Sequence, residues 1–398
     1  MMSLASSHDF TRAPTDLGWS PADGRAEPES VLVLAAVESL GLVAKYEAWA
    51  HGFRAAGAEC QPIFVQNASD LLTALATSSA RTVFLRRPGF VRGLRRELAR
   101  ARTGGKQVVI ELPTPYYVGL REIRAQHTRV RSVRAMAGMA LATGACLHAD
   151  LIVQAVPDHW PWKWLGGERI TVGNGADLAL RPPPIRAWNT RKSCKLVMSA
   201  SPAPWHGIDR VIRGLVAHAD AELLLVGDHE AFEPYMRIAE THGVGGRVRT
   251  VGPLSGIALW RVLASADCGV SSLGLHRLAR GPFAPLKARE YLACGLPVIF
   301  TGQDDALRSC TPLALEVPAT DAPLDICDVV TWLDTLRAAG TGPADARRIA
   351  EVRFSYAERA NRILRVLSMQ QRPMASTTAT MGAGSAQAPR SRTELEDR

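Results

Sequence analysis

The sequence predicts an α/β protein with two parallel-sheet domains that face a central cleft. Short apolar runs alternate with helical patterns along most of the chain, which is typical of parallel strands covered by helices on both faces. Three consecutive prolines at 182–184 interrupt the alternation, and a length of 398 residues itself suggests two domains joined by a linker. Ligands of such sheets bind outside the carboxyl ends of the strands, so the cleft is the expected site.

The elements follow from runs of apolar residues for strands and from apolar residues three to four apart for helices. In the first half, strands are expected at 31–36, 62–65, 82–85, 107–111, 151–154 and 169–172, with a helix at 43–55. In the second half, strands are expected at 195–199, 222–226, 248–251, 268–271 and 297–300, with helices at 207–217, 230–241, 257–264 and before the last strand. A long helix at 343–367 is expected to pack back across the cleft.

These elements divide the chain into a first domain at 29–185 and a second at 190–368. The tails, 1–28 and 369–398, are rich in Ser, Thr, Ala, Gly and Pro and are expected to be disordered. The seven cysteines are scattered without C-x-x-C spacing, which predicts free thiols and no zinc site. No signal-peptide pattern or membrane-length apolar run is present, so the protein is expected in the cytoplasm.

Positive charge is concentrated in the segment 81–134. It holds 14 Lys or Arg and three Glu. Its net charge, 14 − 3 = +11, exceeds the +9 of the whole chain. Such a surface could bind nucleic acid, anionic lipid or a phosphorylated substrate, or could be an ordinary solvated face. The segment has only four aromatic residues, too few for a base-stacking platform, so nucleic acid is not expected as a partner.

The stretch PLKAREYLACGLPVIF, at 285–300, predicts a helix that ends at Gly295 and a short buried strand after it. Lys287 and Glu290 lie one turn apart near the helix N-terminus, where backbone N–H groups and the helix dipole favour anions. The pair could bind a phosphate group. It could equally be an ordinary surface ion pair.

Four blocks of the second half, in this order, are SASPAPWHGIDRVIRGL, AELLLVGDH, GRVRTVGPLSGIALWRVLASADCGVSSL and PLKAREYLACGLPVIF. Together they resemble the donor domain of GT-B glycosyltransferases, in particular the retaining family 4 (glycosyl transferases group 1). In the first half, QVVIELPTPYYVGLRE and ERITVGNGADL resemble acceptor-domain segments of its bacterial polysaccharide-assembly branch. The resemblance implies a GT-B fold with two Rossmann-like domains.

The resemblance also implies a donor site. Glu290 matches the glutamate that binds the ribose hydroxyls of a sugar nucleotide, and Lys287 would meet the diphosphate or the donor sugar. Backbone groups around Leu286 would bind the phosphates without a metal. Three further residues would lie beside the nucleotide base and contact it through backbone atoms: Gly252, Pro253 and Leu254.

Three positions depart from the family pattern. The usual diphosphate-binding lysine and arginine are replaced by His206 and Ala200, and the usual second glutamate by Pro282. His206, with Gly207 after it, could donate a hydrogen bond to the phosphates or could equally be a structural histidine. Arg210 could supply the missing charge if its helix begins at the cleft and points it inward, or it could be an ordinary surface arginine of that helix.

On the acceptor side the family often has a histidine at the end of one strand, and the corresponding stretch here, IELPTPYYVG, contains none. Glu111, Thr114, Tyr116 and Tyr117 occupy the equivalent strand end. Glu111 could be a catalytic base or could position the acceptor hydroxyl, against the alternative that it is a structural pairing residue. Asn174, followed by Gly175, matches a family turn near the domain junction and is interpreted as mainly structural.

The expected activity is transfer of a sugar from a nucleotide-diphosphate donor to a glycan or polyprenyl-linked glycan, as in bacterial exopolysaccharide or cell-surface glycan synthesis. The resemblance implies retention of configuration, and the sequence predicts no metal and no cofactor. The segment 81–134 would hold the protein on the anionic inner face of the plasma membrane. The alternatives are a sugar-nucleotide epimerase of the same fold and a non-catalytic partner of an active glycosyltransferase.

Overall fold

The computed structural model describes residues 29–371 except 37–39, 88, 127–128, 158–166, 180–193 and 279–280. The predicted N-terminal tail, the proline linker and nearly all of the predicted C-terminal tail therefore lie outside the described residues. The described part forms two six-stranded sheets in which every strand pair is parallel.

The first sheet has the strand order β2-β1-β3-β4-β5-β6. Its strands are β1 (Ser30–Ala36), β2 (Glu59–Val65), β3 (Thr82–Arg86), β4 (Gln107–Leu112), β5 (Leu151–Gln154) and β6 (Glu168–Thr171). Its helices are α1 (Leu40–Ala55), α2 (Ala68–Thr77), α3 (Leu94–Thr103), α4 (Tyr116–Gln126) and α5 (Arg129–Thr143), followed by a 3₁₀ turn, Gly144–His148. The strand order reverses between β1 and β3, which opens a crevice at their carboxyl ends.

The second sheet has the order β12-β11-β10-β7-β8-β9, the pattern of a dinucleotide-binding Rossmann sheet. Its strands are β7 (Cys194–Ser199), β8 (Ala221–Val226), β9 (Val248–Val251), β10 (Cys268–Val270), β11 (Val298–Phe300) and β12 (Ala314–Glu316). Its helices are α6 (Ile208–Gly214), α7 (His229–Thr241), α8 (Gly256–Leu263), α9 (Leu286–Ala293), α10 (Asp305–Arg308), α11 (Ile326–Ala338) and α12 (Pro343–Arg353). The predicted α/β architecture with two Rossmann-like domains is confirmed.

The prediction of one helix at 343–367 is wrong, because the chain forms two helices there. The helix α12 ends at Arg353, and α13 (Tyr356–Gln371) begins after a break in which the Phe354 carbonyl accepts a hydrogen bond from Ala176 N–H. Ser355 Oγ accepts from the N–H of Ala357, 3.2 Å away, and so starts the second helix. The expectation that this region packs back across the cleft is confirmed, since α13 packs on α1 of the first domain.

The helix α9 is fixed under the cleft by contacts with two strands and with the start of α10. Tyr291 lies against Gly269 of β10, where a Cβ atom would be 2.2 Å from the ring, and its hydroxyl accepts from the N–H of Ser199 on β7. Arg289, on another side of the helix, makes two hydrogen bonds of 2.5 and 2.7 Å with Asp304, and both side chains are buried. Only the side of α9 that carries Lys287 and Glu290 faces the cleft.

Candidate functional site

The cleft holds a cavity of about 770 Å³, a volume typical of small-molecule sites. The first domain contributes α1, the start of α4 and the chain after β5 and β6. The second domain contributes the carboxyl ends of β7 and β8, the segment before α8, and the start of α9. The cavity therefore lies where the two crevices face each other, as the fold predicts.

The N-terminus of α9 is open toward the cavity. Pro285 precedes the helix, and no side chain caps the first turn, so its backbone N–H groups are available to an anion. Leu286, Lys287 and Glu290 all line the cavity, as the sequence predicted. Lys287 Nζ is buried and has no hydrogen-bond partner, which excludes the alternative of a surface ion pair with Glu290.

Burial changes the ionisation of both groups. It lowers the pKa of Lys287 to about 7 against a smaller opposing effect of Glu290, and it raises the pKa of Glu290 to about 7 against a smaller opposing effect of Lys287. Both side chains therefore titrate near neutral pH in the site without ligand. An anionic ligand beside Lys287 would stabilise its charged form, so ligand and proton are expected to bind together.

His206 also lines the cavity, and burial, with Lys287 nearby, lowers its pKa well below the ordinary value. The imidazole is thus neutral at pH 7 and offers a phosphate a hydrogen bond rather than a charge. Pro253 and Leu254 lie in the cavity wall before α8, in the place expected for base contacts, whereas Gly252 does not line the cavity. Of the described residues on the second-domain wall, Lys287 is the one Lys or Arg.

The expectation that Arg210 supplies a phosphate-binding charge is wrong. Its guanidinium is buried inside the second domain. It donates hydrogen bonds to the carbonyls of Ala322, Leu273 and Pro318 at 2.7, 2.6 and 3.1 Å. Gly207 does not reach the cavity either. It has a φ of +68°, and a Cβ there would be 2.8 Å from the backbone N of Gly274, so its place is a tight structural turn.

The expectation that Glu111 is a base in the cleft is also wrong. Its carboxylate is buried beneath the first-domain wall, where Lys45 Nζ lies 2.7 Å away and the Tyr46 hydroxyl donates to it. The structural alternative, that Glu111 pairs with neighbouring side chains, therefore describes it correctly. An acceptor hydroxyl in the cavity cannot reach a carboxylate that is already enclosed by these two partners.

The other three predicted acceptor residues lie in different places. Thr114 lines the cavity. Tyr116 is 8% exposed and belongs to the core of the first sheet. Tyr117 packs against a small apolar cluster that joins Val118 of the first domain to Leu278 of the second, and it does not line the cavity.

Asn174 and Gly175 lie in the loop after β6, and both line the cavity. Asn174 Nδ2 donates to the carbonyl of Ala284 at 2.6 Å, which ties this loop to the start of α9. Arg359 of α13 donates to the carbonyls of Gly173 and Asn174 at 3.2 and 3.0 Å. The loop is thus fixed from both sides, which agrees with a structural interpretation of Asn174.

Among the cavity residues that were not identified from the sequence are an interacting histidine and aspartate. His51 of α1 lies 3.2 Å, through Nδ1, from Oδ2 of Asp177, and both side chains line the cavity. Asp177 ends the NGAD turn and could have been noticed there. His51 is a single histidine on a helix, and 126 residues separate it from its partner, so no local pattern marks it.

The cavity can therefore bind an anion at the start of α9, hydroxyl groups at Glu290, and a second polar ligand against the first-domain wall. No group of three or more His, Cys, Asp or Glu with the arrangement of a metal site occurs in the part of the chain that the structure describes. Within the same residues no helix is both long and apolar enough to cross a membrane.

Residues 197–324 match the family model of glycosyl transferases group 1, while no curated protein matches the chain. A sucrose-phosphate synthase from Thermosynechococcus elongatus superposes with a TM-score of 0.58 at 15% identity, over 86% of this chain and 99% of that one. HepE from Anabaena, solved in complex with UDP-glucose, gives 0.56 at 14% identity, over 85% and 99%. A glycosyltransferase from Rickettsia africae gives 0.58 at 13%, over 86% and 99%. The protein therefore has the GT-B fold, and residues 197–324 of its second domain match the model of glycosyl transferases group 1.

Proposed function

We propose that this protein is a glycosyltransferase that moves a sugar from a nucleotide-diphosphate donor to a hydroxyl group of a carbohydrate acceptor. The observation that carries the proposal is the uncapped start of α9 in the cleft, with Lys287 Nζ buried without a partner and Glu290 one turn further. An unpaired buried ammonium is costly in the empty protein, and an anionic ligand would compensate it. The group 1 match over the second domain supports the same assignment.

In this proposal the diphosphate lies at the N-terminus of α9, where the helix dipole, the free N–H groups and Lys287 stabilise the charge that develops on the leaving group. Glu290 accepts hydrogen bonds from the ribose hydroxyls. The nucleotide base lies beside Pro253 and Leu254. The cleft between the domains holds the acceptor oxygen against the anomeric carbon. The proposal includes retention of configuration at the anomeric carbon, and the sequence resemblance is the support for that part.

Replacement of Glu290 by alanine is expected to weaken donor binding at least ~10-fold, a loss of about 1.4 kcal/mol, because the ribose hydroxyls lose their acceptor. Binding and hydrolysis are measured on the full chain with UDP-glucose, UDP-galactose, UDP-N-acetylglucosamine and GDP-mannose. Glu240→Ala, which removes an exposed carboxylate from α7, is the matched control and should bind like the wild type.

Three other outcomes would each be informative. If the folded wild type binds no member of the panel, the donor site is refuted and a non-catalytic partner becomes the better explanation. If a donor is converted to its sugar epimer rather than transferred or hydrolysed, the epimerase alternative is correct. If Glu290→Ala and Glu240→Ala bind donor equally well, the ribose assignment is wrong.

We further propose that the acceptor is linked to lipid and that the first domain lies on an anionic membrane surface. Arg92, Arg95, Arg96 and Arg100 are exposed at and before α3. Both α3 and α5 pack on the 3₁₀ turn at 144–148. Exposed apolar side chains lie nearby in the chain: Phe90 before α3, Val133 and Leu141 on α5, and Leu147 in the 3₁₀ turn. Arginines mixed with exposed apolar groups are typical of surfaces that bind anionic lipid.

Charge reversal at Arg95 and Arg96 is expected to weaken binding to phosphatidylglycerol vesicles at least ~30-fold, because each basic residue contributes about 1 kcal/mol at an anionic surface. Cosedimentation at low and high salt measures this. Reversal of Arg237 and Arg249, two exposed arginines of the second domain, is the matched control. Equal binding by both double variants, or equal binding to phosphatidylcholine, would contradict the proposal.

A further inference from the structure

One part of the cavity, next to the N-terminus of α9, is lined by apolar side chains. Most come from the second domain, and one comes from α4 of the first. These six residues form the apolar wall: Val118, Trp205, Leu275, Leu278, Phe283 and Ala284. Trp205 and Phe283 pack against the buried pair Val118 and Leu278. Of the six side chains, only the Trp205 indole carries a hydrogen-bonding group.

Two observations place the apolar wall beside the proposed diphosphate site. Phe283 lies two residues before Pro285, the residue at which α9 begins. Trp205 is next to His206, whose pKa is lowered by burial and then by the nearby charge of Lys287. The wall therefore reaches the α9 N-terminus along two separate segments of the second domain, the one before α9 and the one after β7.

The apolar wall is held in place by hydrogen bonds from both domains. The N–H of Phe283 donates to the carbonyl of Gln303 at 3.0 Å. Arg121 of α4 donates to the carbonyl of Leu278, also at 3.0 Å, and so fixes the loop after β10 against the first domain. Val118 and Leu278 are 2% and 5% exposed. The wall is thus a preformed surface that exists before any ligand binds.

The donor sugar is expected to lie against this wall. In the proposed donor complex the base lies beside Leu254 and the ribose at Glu290, so the sugar on the second phosphate extends from the α9 N-terminus away from both. Directly before Phe283, Pro282 stands where the family pattern has a glutamate, so this segment supplies no carboxylate for a sugar hydroxyl. A hydroxyl buried against the wall would lose its bonds to water without gaining a partner.

We propose that the donor is the nucleotide of a 6-deoxyhexose, whose methyl group packs on the apolar wall. This inference rests on the proposed glycosyl transfer and names its donor class. A hexose would bring a hydroxymethyl group to the same place, and an N-acetylhexosamine would bring an amide, and both of these groups need hydrogen-bond partners. The ring hydroxyls of a 6-deoxyhexose can bond to polar cavity residues such as Ser272.

Matched donors that differ in a single oxygen atom test this proposal. The pairs are UDP-glucose with UDP-6-deoxyglucose, UDP-galactose with UDP-6-deoxygalactose, and GDP-mannose with GDP-6-deoxymannose, and UDP and GDP are the references without a sugar. Binding is measured by calorimetry on the full chain. In the pair that binds best, the 6-deoxy donor should have a Kd at least ~10-fold lower, about 1.4 kcal/mol, because the hexose buries a hydroxyl without a partner.

Val118→Thr and Leu278→Asn each add a hydrogen-bonding group to the wall with little change in volume, and each should reduce the preference at least ~3-fold. Val352→Thr, at a 64% exposed residue of α12, is the matched control and should keep the preference. Equal or tighter binding of the hexose would overturn the inference. So would tightest binding of UDP-N-acetylglucosamine, or a preference that neither wall variant changes. A wild type that binds neither UDP, GDP nor any of these donors would instead overturn the proposed function, so the two failures are distinguishable.

Discussion

Replacement of Lys287 by methionine is expected to weaken donor binding at least ~100-fold, about 3 kcal/mol, and also to raise the melting temperature of the protein without ligand. Both effects have one cause. The ammonium is buried without a partner until a diphosphate arrives, so it destabilises the empty protein and stabilises the complex. Methionine has a similar length and no charge, and therefore removes both contributions.

The lowered pKa of Lys287 determines how its effect on stability changes with pH. The pKa of Lys287 falls to about 7 in the folded protein, so the unfolded chain binds this proton more tightly. The cost of burying the charge is therefore full below pH 7 and decreases as the pH rises toward the ordinary lysine value. The gain in melting temperature should be largest at and below pH 7. Donor Kd of the wild type should rise above pH 7, by up to ~10-fold per pH unit, because the site must then take up a proton.

Calorimetry for donor binding and thermal unfolding between pH 6 and 9 measure these effects. Lys195→Met, at a lysine of the same domain whose Nζ is bonded to Ser265 instead, is the matched control. A Lys287→Met protein with a lower melting temperature than the wild type would mean that the ammonium has a structural partner. A donor Kd that stays constant above pH 7 in the wild type would remove Lys287 from the diphosphate site.

Replacement of Asp304 by alanine is expected to destabilise the second domain by about 3–5 kcal/mol, because it leaves Arg289 as an unpaired buried charge. Asp304 accepts two hydrogen bonds from Arg289 and a third, 3.2 Å long, from the N–H of Leu307 at the start of α10. Arg289 also donates to the carbonyl of Pro285 at 3.2 Å, so the pair supports the start of α9. A weaker loss of donor affinity should accompany the destabilisation.

Urea unfolding monitored by circular dichroism measures the change. Asp305→Ala, next in the chain but with a 92% exposed side chain, is the control and should change stability by less than about 1 kcal/mol. The double variant Arg289→Met with Asp304→Leu should recover much of the loss, because it removes both charges together. If Asp304→Ala and Asp305→Ala unfold at the same urea concentration, the buried pair contributes nothing measurable.

Strand positions were predicted well because each strand is a short apolar run, a property of neighbouring residues alone. The predicted strand at 151–154 agrees with β5 at both ends, and the predicted 248–251 agrees with β9. The break before α13 was missed although Ser355 and Glu358 form the pattern of a helix N-terminus. Continuous helical periodicity across 343–367 concealed it, and only the bridge between Ser355 and Ala176 explains why the chain leaves the helix there.

The position of Lys287 and Glu290 in the cavity could be predicted from the sequence because both lie in one helical turn beside a recognisable strand. Whether a charged residue faces a cleft or the protein interior depends on partners far away in the chain. Arg210 bonds carbonyls more than 60 residues on, and Glu111 bonds side chains 65 and 66 positions before it. His51 and Asp177 were missed for the same reason, because 126 residues separate them in the chain.

The packing of α13 on the first sheet has a consequence for synthesis. The ring of Tyr356 lies 4.7 Å from that of Trp49, centroid to centroid, in a tilted arrangement, and Ile363 and Leu367 complete the same apolar cluster. The first domain is thus built from two pieces of chain separated by the whole second domain. During translation the apolar face of α1 stays uncovered until nearly every residue of the second domain has left the ribosome, because α13 is synthesised last. The domain synthesised first is therefore the one completed last.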